Sequence, residues 1–233
     1  MREPEPQVDP PYMFPRYETT RLRAPLERLL IVPRGLTERS GPVLGGGPVL
    51  PADADLTRQH AGEPLGERII VSGRVLDSDG RPVGDTLVEA WQANSAGRYA
   101  HEVDDHPAPL DPNFTGVGRC LTDEAGGFRF VTIKPAAYPW RNSPNAWRPA
   151  HIHFSLFGRA FEQRLVTQMY FPGDPLLADD PIFNSVPDER ARSRLIAALD
   201  RQRSVPEWAL AYRFDIVLRG RSETLFEGDD DED

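Results

Sequence analysis

Thiols are almost missing from this chain: of 233 residues, Cys120 is the only cysteine. No intrachain disulfide can form, and a reducing compartment is the simple expectation. Cys120 has no charged partner evident nearby and reads as a small buried hydrophobe. Long apolar runs are missing too. No stretch approaches the roughly 20 apolar residues of a membrane span. The opening "MREPEPQVDPPYMFPRY" has no apolar run of the kind a secretory leader carries. A cytoplasmic location with no membrane partner follows as an expectation. Lys134 is the only lysine, so the basic residues are nearly all arginine. Positive charge is in deficit: 27 basic against 36 acidic residues give a formal charge of −9. Such a chain does not suit a phosphate backbone, and nucleic acid is not an expected partner.

Turn-forming residues are plentiful, with 24 prolines and 19 glycines. Residues 1–64 read as an extended arm, with Pro-rich pieces, a short helical candidate broken by Pro25 and the glycine run "GPVLGGGPVL". So much irregular chain cannot bury itself alone and is expected to lie on the main domain or on another subunit. From 65 to 226 the texture is that of one β domain. "ERIIVSGRVL" and "RPVGDTLVEAWQA" flank a "DSDG" turn, and "GRCLTDEAGGFRFVTI" reads as strand, turn and strand. "HIHFSLFG" with "RLVTQMYF" makes a third strand pair, and "YRFDIVLRG" (212–220) closes the domain. Short strands at regular spacing predict an all-β, antiparallel β-sandwich. One helix is predicted at about 187–202, with Pro187 in its first turn and Ala191, Leu195, Ile196 and Leu199 on one face. Residues 227–233 are a solvated acidic tail.

Two of the five histidines fall together in "WRPAHIHFSLF" (147–157). On a strand, residues i and i+2 point the same way. His151 and His153 therefore share one face, with Ile152 and Phe154 on the other. Two readings stay open: a polar sheet face, or two metal ligands on a rigid element. Zinc patterns such as H-E-x-x-H and C-x-x-C are absent. The two-histidine-one-carboxylate iron pattern would put an acid where the second histidine stands. Tyr99 in "GRY" and Tyr138 in "AYPW" are nearby oxygen donors. An ionised phenol is a hard anion that suits ferric iron.

The segments "WQANSAGRY", "LDPNFTGVGRCLTD", "TIKPAAYPWRN", "WRPAHIHF", "TQMYFPGDPL" and "LAYRFDIVLRG" together resemble the intradiol ring-cleavage dioxygenases. Within that family they are similar to the iron-bearing β subunits that work with a homologous α subunit. The likeness runs from about Tyr17 to Phe226. It implies a prealbumin-like sandwich, a non-haem Fe(III) cofactor, and a catecholic substrate cleaved with O2. By resemblance the metal ligands are Tyr99, Tyr138, His151 and His153, with Tyr138 and His153 axial, and Tyr138 also a base. Arg148 is implied to stabilise charge on the substrate ring, with Gln168 as its partner. Tyr17, Trp140 and Ile182 are implied to line the substrate pocket, with Arg23 at a neighbouring position of the arm. His60, His101 and His106 read as loop residues, His106 near the site entrance. Two alternatives are kept. One is a homodimeric enzyme for catechol or hydroxyquinol, whose helical linker region the Pro/Gly-rich arm does not resemble. The other is a non-catalytic β-sandwich binding module.

Overall fold

A computed structural model describes residues 10–27, 48–77, 79–140, 147–157 and 165–218. The acidic tail, the extreme N-terminal prolines, the glycine run and the Arg23 side chain lie outside the described part. The first strands are β1 (Arg68–Leu76), β2 (Leu87–Trp91), β3 (Val117–Leu121) and β4 (Gly127–Ile133). A two-residue pair follows, β5 (Tyr138–Pro139) and β6 (Trp147–Arg148). Then come β7 (His151–Phe157), β8 (Leu165–Tyr170), β9 (Ala198–Leu199), β10 (Leu210–Arg213) and β11 (Ile216–Val217).

Two sheets form the expected sandwich. One is ordered β3-β2-β7-β8 and is antiparallel throughout. The other is built around β1, which pairs antiparallel with β4 and parallel with β10 and β11. The sheets bury Ile69, Val71, Phe128 and Phe130 from one side against Val88, Ile152, Phe154 and Met169 from the other. The rings of Phe128 and Phe130 stand 5.8 and 6.1 Å from Phe154, in tilted contact across the interface. Ile152 and Phe154 thus face the core, and β7 turns its histidines outward.

Pairing differs from the order of strands along the chain. Of the three successive strand pairs, only β7 and β8 are hydrogen-bonded neighbours. After β1 the chain folds back locally, with Val83 N donating to Val75 O at 2.9 Å. It then turns away at Asp85, whose φ of 53° is left-handed, and enters the other sheet as β2. The "DEAGG" turn likewise carries the chain from β3 in one sheet to β4 in the other. The closing strand is two strands. Phe214 N donates to Ser72 O at 2.9 Å, and Arg74 N donates to the Asp215 side chain at 3.0 Å, which separates β10 from β11. Gly73 permits this approach, since a Cβ there would run into the Phe214 carbonyl.

The long helix over 187–202 does not form. Helix α2 spans Glu189–Ser193, capped by Asp188, whose carboxylate accepts from Ala191 N at 2.8 Å. Pro187 lies before the cap. Beyond the helix, Tyr170 N donates to Leu195 O and Ala197 N donates to Tyr170 O, while β9 pairs with β10. These bonds to neighbouring strands replace the helical ones. Ala191 and Leu195 still pack against Tyr170 and Phe183, but Leu199 is exposed. The arm candidate forms a single turn, α1 (Thr20–Arg23), ending as the backbone turns extended at Ala24 before Pro25. Residues 51–54 form a 3-10 turn, and Leu56 beyond it is buried in the sandwich core. Among the described residues, no helix is long and apolar enough to cross a membrane.

Cys120 packs against the core from β3, and burial pushes its thiol up to about 11. At pH 8 its reaction with a disulfide reagent is expected to be at least about tenfold slower in the native protein than in urea. Equal rates would contradict the partly buried placement against the core.

Candidate active site

The outward face of the β2–β7–β8 sheet is where the chemistry gathers. Residues directly opposite in antiparallel strands share a face. His153 stands opposite Trp91 on one side and Gln168 on the other, and His151 opposite Tyr170. Trp91 lies flat on His153, rings 4.7 Å apart and 8° from parallel, which fixes the imidazole plane. The Nε2 atoms of His151 and His153 are 3.2 Å apart.

A loop and a short strand bring in the phenols. After β2 the chain turns at Asn94, whose Oδ1 accepts from Ala96 N at 2.9 Å and Arg98 N at 3.0 Å. Gly97 sits in this turn at φ 77°, where a Cβ would strike the Ala137 carbonyl. The absence of a side chain there lets the Tyr99 loop lie against the strand carrying Tyr138. Tyr99 N donates to Asp104 Oδ2 at 2.7 Å, and the Arg98 guanidinium ties the following loop through the carbonyls of Asp104, His106 and Ala108. Tyr138 is held by the β5–β6 pair, directly opposite Arg148. The Tyr99 ring meets Tyr138 edge-on at 5.3 Å and lies 6.4 Å from His153. Tyr138 Oη is 3.4 Å from His151 Nε2. Tyr99, Tyr138, His151 and His153 therefore converge on one place.

Both imidazoles are held neutral. Burial pushes the His151 pKa well down, and the Arg148 cation adds to this; burial, His151 and Arg148 do the same to His153. His151 Nδ1 lies 2.7 Å from Pro149 O. That carbonyl can only accept, so Nδ1 carries the proton and Nε2 keeps its lone pair. Arg148 Nη1 lies 3.1 Å from the same Nε2. Arg148 is 2% exposed. Its burial opposes the charge, but Tyr170, Asp180 and Tyr138 outweigh that and hold it protonated.

This donor set fits a metal ion. Two nitrogens each about 2.1 Å from one cation and at right angles to it lie about 3 Å apart, close to the observed separation. Neutral imidazole is the ligating form. Among the described residues no three of His, Cys, Asp or Glu gather as a metal-binding group. The remaining donors are the two phenols, which favours a hard, highly charged cation over zinc.

Of the residues expected around a substrate, Tyr17, Trp140, Arg148 and Gln168 come together. Trp140 lies 5.3 Å from the Arg148 guanidinium on one side and 5.3 Å from the Tyr17 ring on the other. Gln168 Oε1 accepts from Arg148 Nη2 at 2.6 Å. Arg148 has only donors, so the amide oxygen must face it and Nε2 must face away. Ile182 immediately precedes the 3-10 turn Phe183–Ser185. His60, His101 and His106 are loop residues, with His60 Nε2 2.7 Å from Thr115 Oγ1. Three neighbours were not expected: Trp91, Tyr170 and Asp180. Tyr170 follows Gln168 at i+2, so strand alternation puts it on the same face. Nothing in "LADDPIF" distinguishes Asp180 from its neighbour Asp179.

Known proteins resemble this chain in sequence and in fold. A family model described as dioxygenase matches residues 40–220. The chain belongs to that family, in its intradiol ring-cleaving branch. It is 58% identical to the protocatechuate 3,4-dioxygenase beta chain of Burkholderia cepacia over 220 residues, 94% of this chain and 93% of that one. It is 30% identical to the protocatechuate 3,4-dioxygenase alpha chain of Pseudomonas putida, over 84% of this chain and 96% of that one. Among solved structures, 3-chlorocatechol 1,2-dioxygenase from Rhodococcus opacus superposes with a TM-score of 0.57 at 26% identity, covering 76% of this chain and 71% of that one.

The close approach at Gly97 gives a direct test. Gly97→Ala is expected to destabilise the protein by about 2 kcal/mol or more, from left-handed backbone strain plus the clash. It should also lower bound metal per chain. A melting temperature and metal content equal to wild type would contradict the packing of the two tyrosine-bearing segments.

Proposed function

We propose that this chain is the iron-bearing subunit of an enzyme that cleaves protocatechuate (3,4-dihydroxybenzoate) between its two hydroxylated carbons. Both atoms of O2 enter the product, 3-carboxy-cis,cis-muconate, a step in aromatic catabolism by the β-ketoadipate pathway. The convergence of two neutral imidazoles with two phenols beside a buried guanidinium carries the reading. The 58% identity to a protocatechuate 3,4-dioxygenase beta chain supports the choice of substrate. The likeness to an alpha chain supports a homologous α partner, and hence an αβ hetero-oligomer; a cytoplasmic setting goes with the near-absence of cysteine.

In this reading Tyr99, Tyr138, His151 and His153 hold Fe(III). Bound there, the ion supplies Lewis acidity and a template for the two catechol oxygens. The other roles belong to the chain. Tyr138 Oη accepts one catechol proton, and its place opposite Arg148 on the β5–β6 pair puts base and cation side by side. Arg148, kept charged in a buried setting, stabilises negative charge that develops on the ring. Gln168 steadies the guanidinium through its amide oxygen. Trp140, Tyr17 and Ile182 form the pocket wall, with the Tyr17 hydroxyl toward the substrate carboxylate. Residues 1–64 then serve as an arm toward the site and the partner subunit, 65–226 as the catalytic domain, and 227–233 as a solvated tail.

Oxygen uptake by the α/β complex tests the reading. The complex should consume O2 with protocatechuate and at least about tenfold more slowly with catechol, while Tyr138→Phe should slow protocatechuate turnover on the order of 100-fold at matched iron content. Faster turnover of catechol would move the assignment to a catechol-cleaving enzyme. Unchanged turnover in Tyr138→Phe would remove its role as base.

A further inference from the structure

We infer that Asp180 is the positioning residue for Arg148, and that it couples the guanidinium to the segment carrying Ile182. The inference rests on the reading of Arg148 as the cation facing the substrate ring.

Asp180 is completely buried, on a loop far from the histidine strand in sequence. Its two oxygens grip one edge of the guanidinium: Arg148 Nε donates to Oδ1 at 3.1 Å and Nη2 to Oδ2 at 3.0 Å. This is the bidentate fork that fixes a guanidinium plane, not only its distance. Nη2 is further occupied by Gln168 Oε1 at 2.6 Å and Tyr170 Oη at 3.0 Å. The Tyr170 hydroxyl lies 2.9 Å from Asp180 Oδ2, closing the ring of contacts. Arginine has five N–H groups. With Nε and Nη2 engaged, only Nη1 remains, and it is the nitrogen turned toward His151. Asp180 therefore selects which edge of Arg148 meets the reacting centre.

The same carboxylate holds the turn on which Ile182 lies. Phe183 N donates to Asp180 Oδ2 at 3.1 Å, and Asn184 N donates to the Asp180 carbonyl at 3.0 Å. Ile182 lies inside that turn. Cation and wall are thus referred to one anchor. Gln168 alone could not do this, since it bonds a single nitrogen of Arg148, whereas Asp180 bonds two and also holds the turn carrying Ile182.

The test is a double-mutant cycle in the α/β complex with Asp180→Asn, Arg148→Gln and the pair. kcat and KM for protocatechuate are read per bound iron, beside iron content and melting temperature. Asp180→Asn is expected to keep its iron, to lower kcat on the order of 100-fold, and to raise KM severalfold. Added to Arg148→Gln it should lower kcat no further, because its effect passes through Arg148. A purely structural role would instead lower melting temperature and iron while leaving kcat per iron unchanged. Asp180→Asn with kcat per iron within about twofold of wild type, or multiplicative losses in the pair, would overturn the inference. A silent Arg148→Gln would overturn the Arg148 reading and this inference with it; a strong Arg148→Gln beside a silent Asp180→Asn would overturn this inference alone. If Asp180→Asn does not fold, Asp180→Glu keeps the charge but shifts the fork by a methylene, and the same cycle applies. It should lose kcat per iron in the wild-type background and lose nothing more beside Arg148→Gln; the opposite pattern overturns the inference.

Discussion

Strand β7 serves the core and the site at once, and everything else in the molecule is arranged around that double use. Its period of two sends Ile152, Phe154 and Leu156 into the sandwich and leaves His151 and His153 on the other face. A slip of one residue would bury the histidines between the sheets and expose a phenylalanine. The aromatic contacts of Phe154 with Phe128 and Phe130 therefore do more than fill volume. They lock the register that keeps two imidazoles on one side, opposite Trp91, Gln168 and Tyr170.

Burial then decides the state of each group on that face. The His151 imidazole is dry, His153 is partly buried, and both stand beside a cation, so they stay neutral with lone pairs available. The guanidinium is equally dry but surrounded by oxygens, so it stays charged. A buried cation left unpaired would be strongly destabilising. Asp180, Tyr170 and Gln168 supply the acceptors, from a loop and from the neighbouring strand. The site thus places a fixed positive charge next to donors that suit a metal.

Much of the fold was legible because it rests on local signals. The alternation in "ERIIVSGRVL" and "HIHFSLF" predicts strands whose bounds differ little from those observed. The helix over 187–202 fails for a nonlocal reason: Leu195 and Ala197 bond to Tyr170, and Leu199 pairs with Tyr212, so the helical period of the apolar residues is overridden after Ser193. The assignment of β1 and β2 to different sheets hangs on one left-handed residue, Asp85, that no pattern announces. At the site, the histidine pair was visible as a strand pattern, but a pattern alone left it open between a polar face and a metal. The tyrosines come from separate segments, a loop and the short strand β5, and their convergence depends on Gly97 lying against Ala137. Resemblance pointed to those residues where spacing could not. Asp180 was missed by both, since its role appears only when the loop folds over Arg148.

The central claim is that two phenolates and two imidazoles hold ferric iron on the outer face of β7. The visible spectrum of the iron-replete protein tests it most directly. Tyrosinate-to-Fe(III) charge transfer should make the protein red-brown, and removing either Tyr99 or Tyr138 by substitution with Phe should weaken and shift the band. A colourless protein with one iron per chain, or a band that neither substitution changes, would contradict the account.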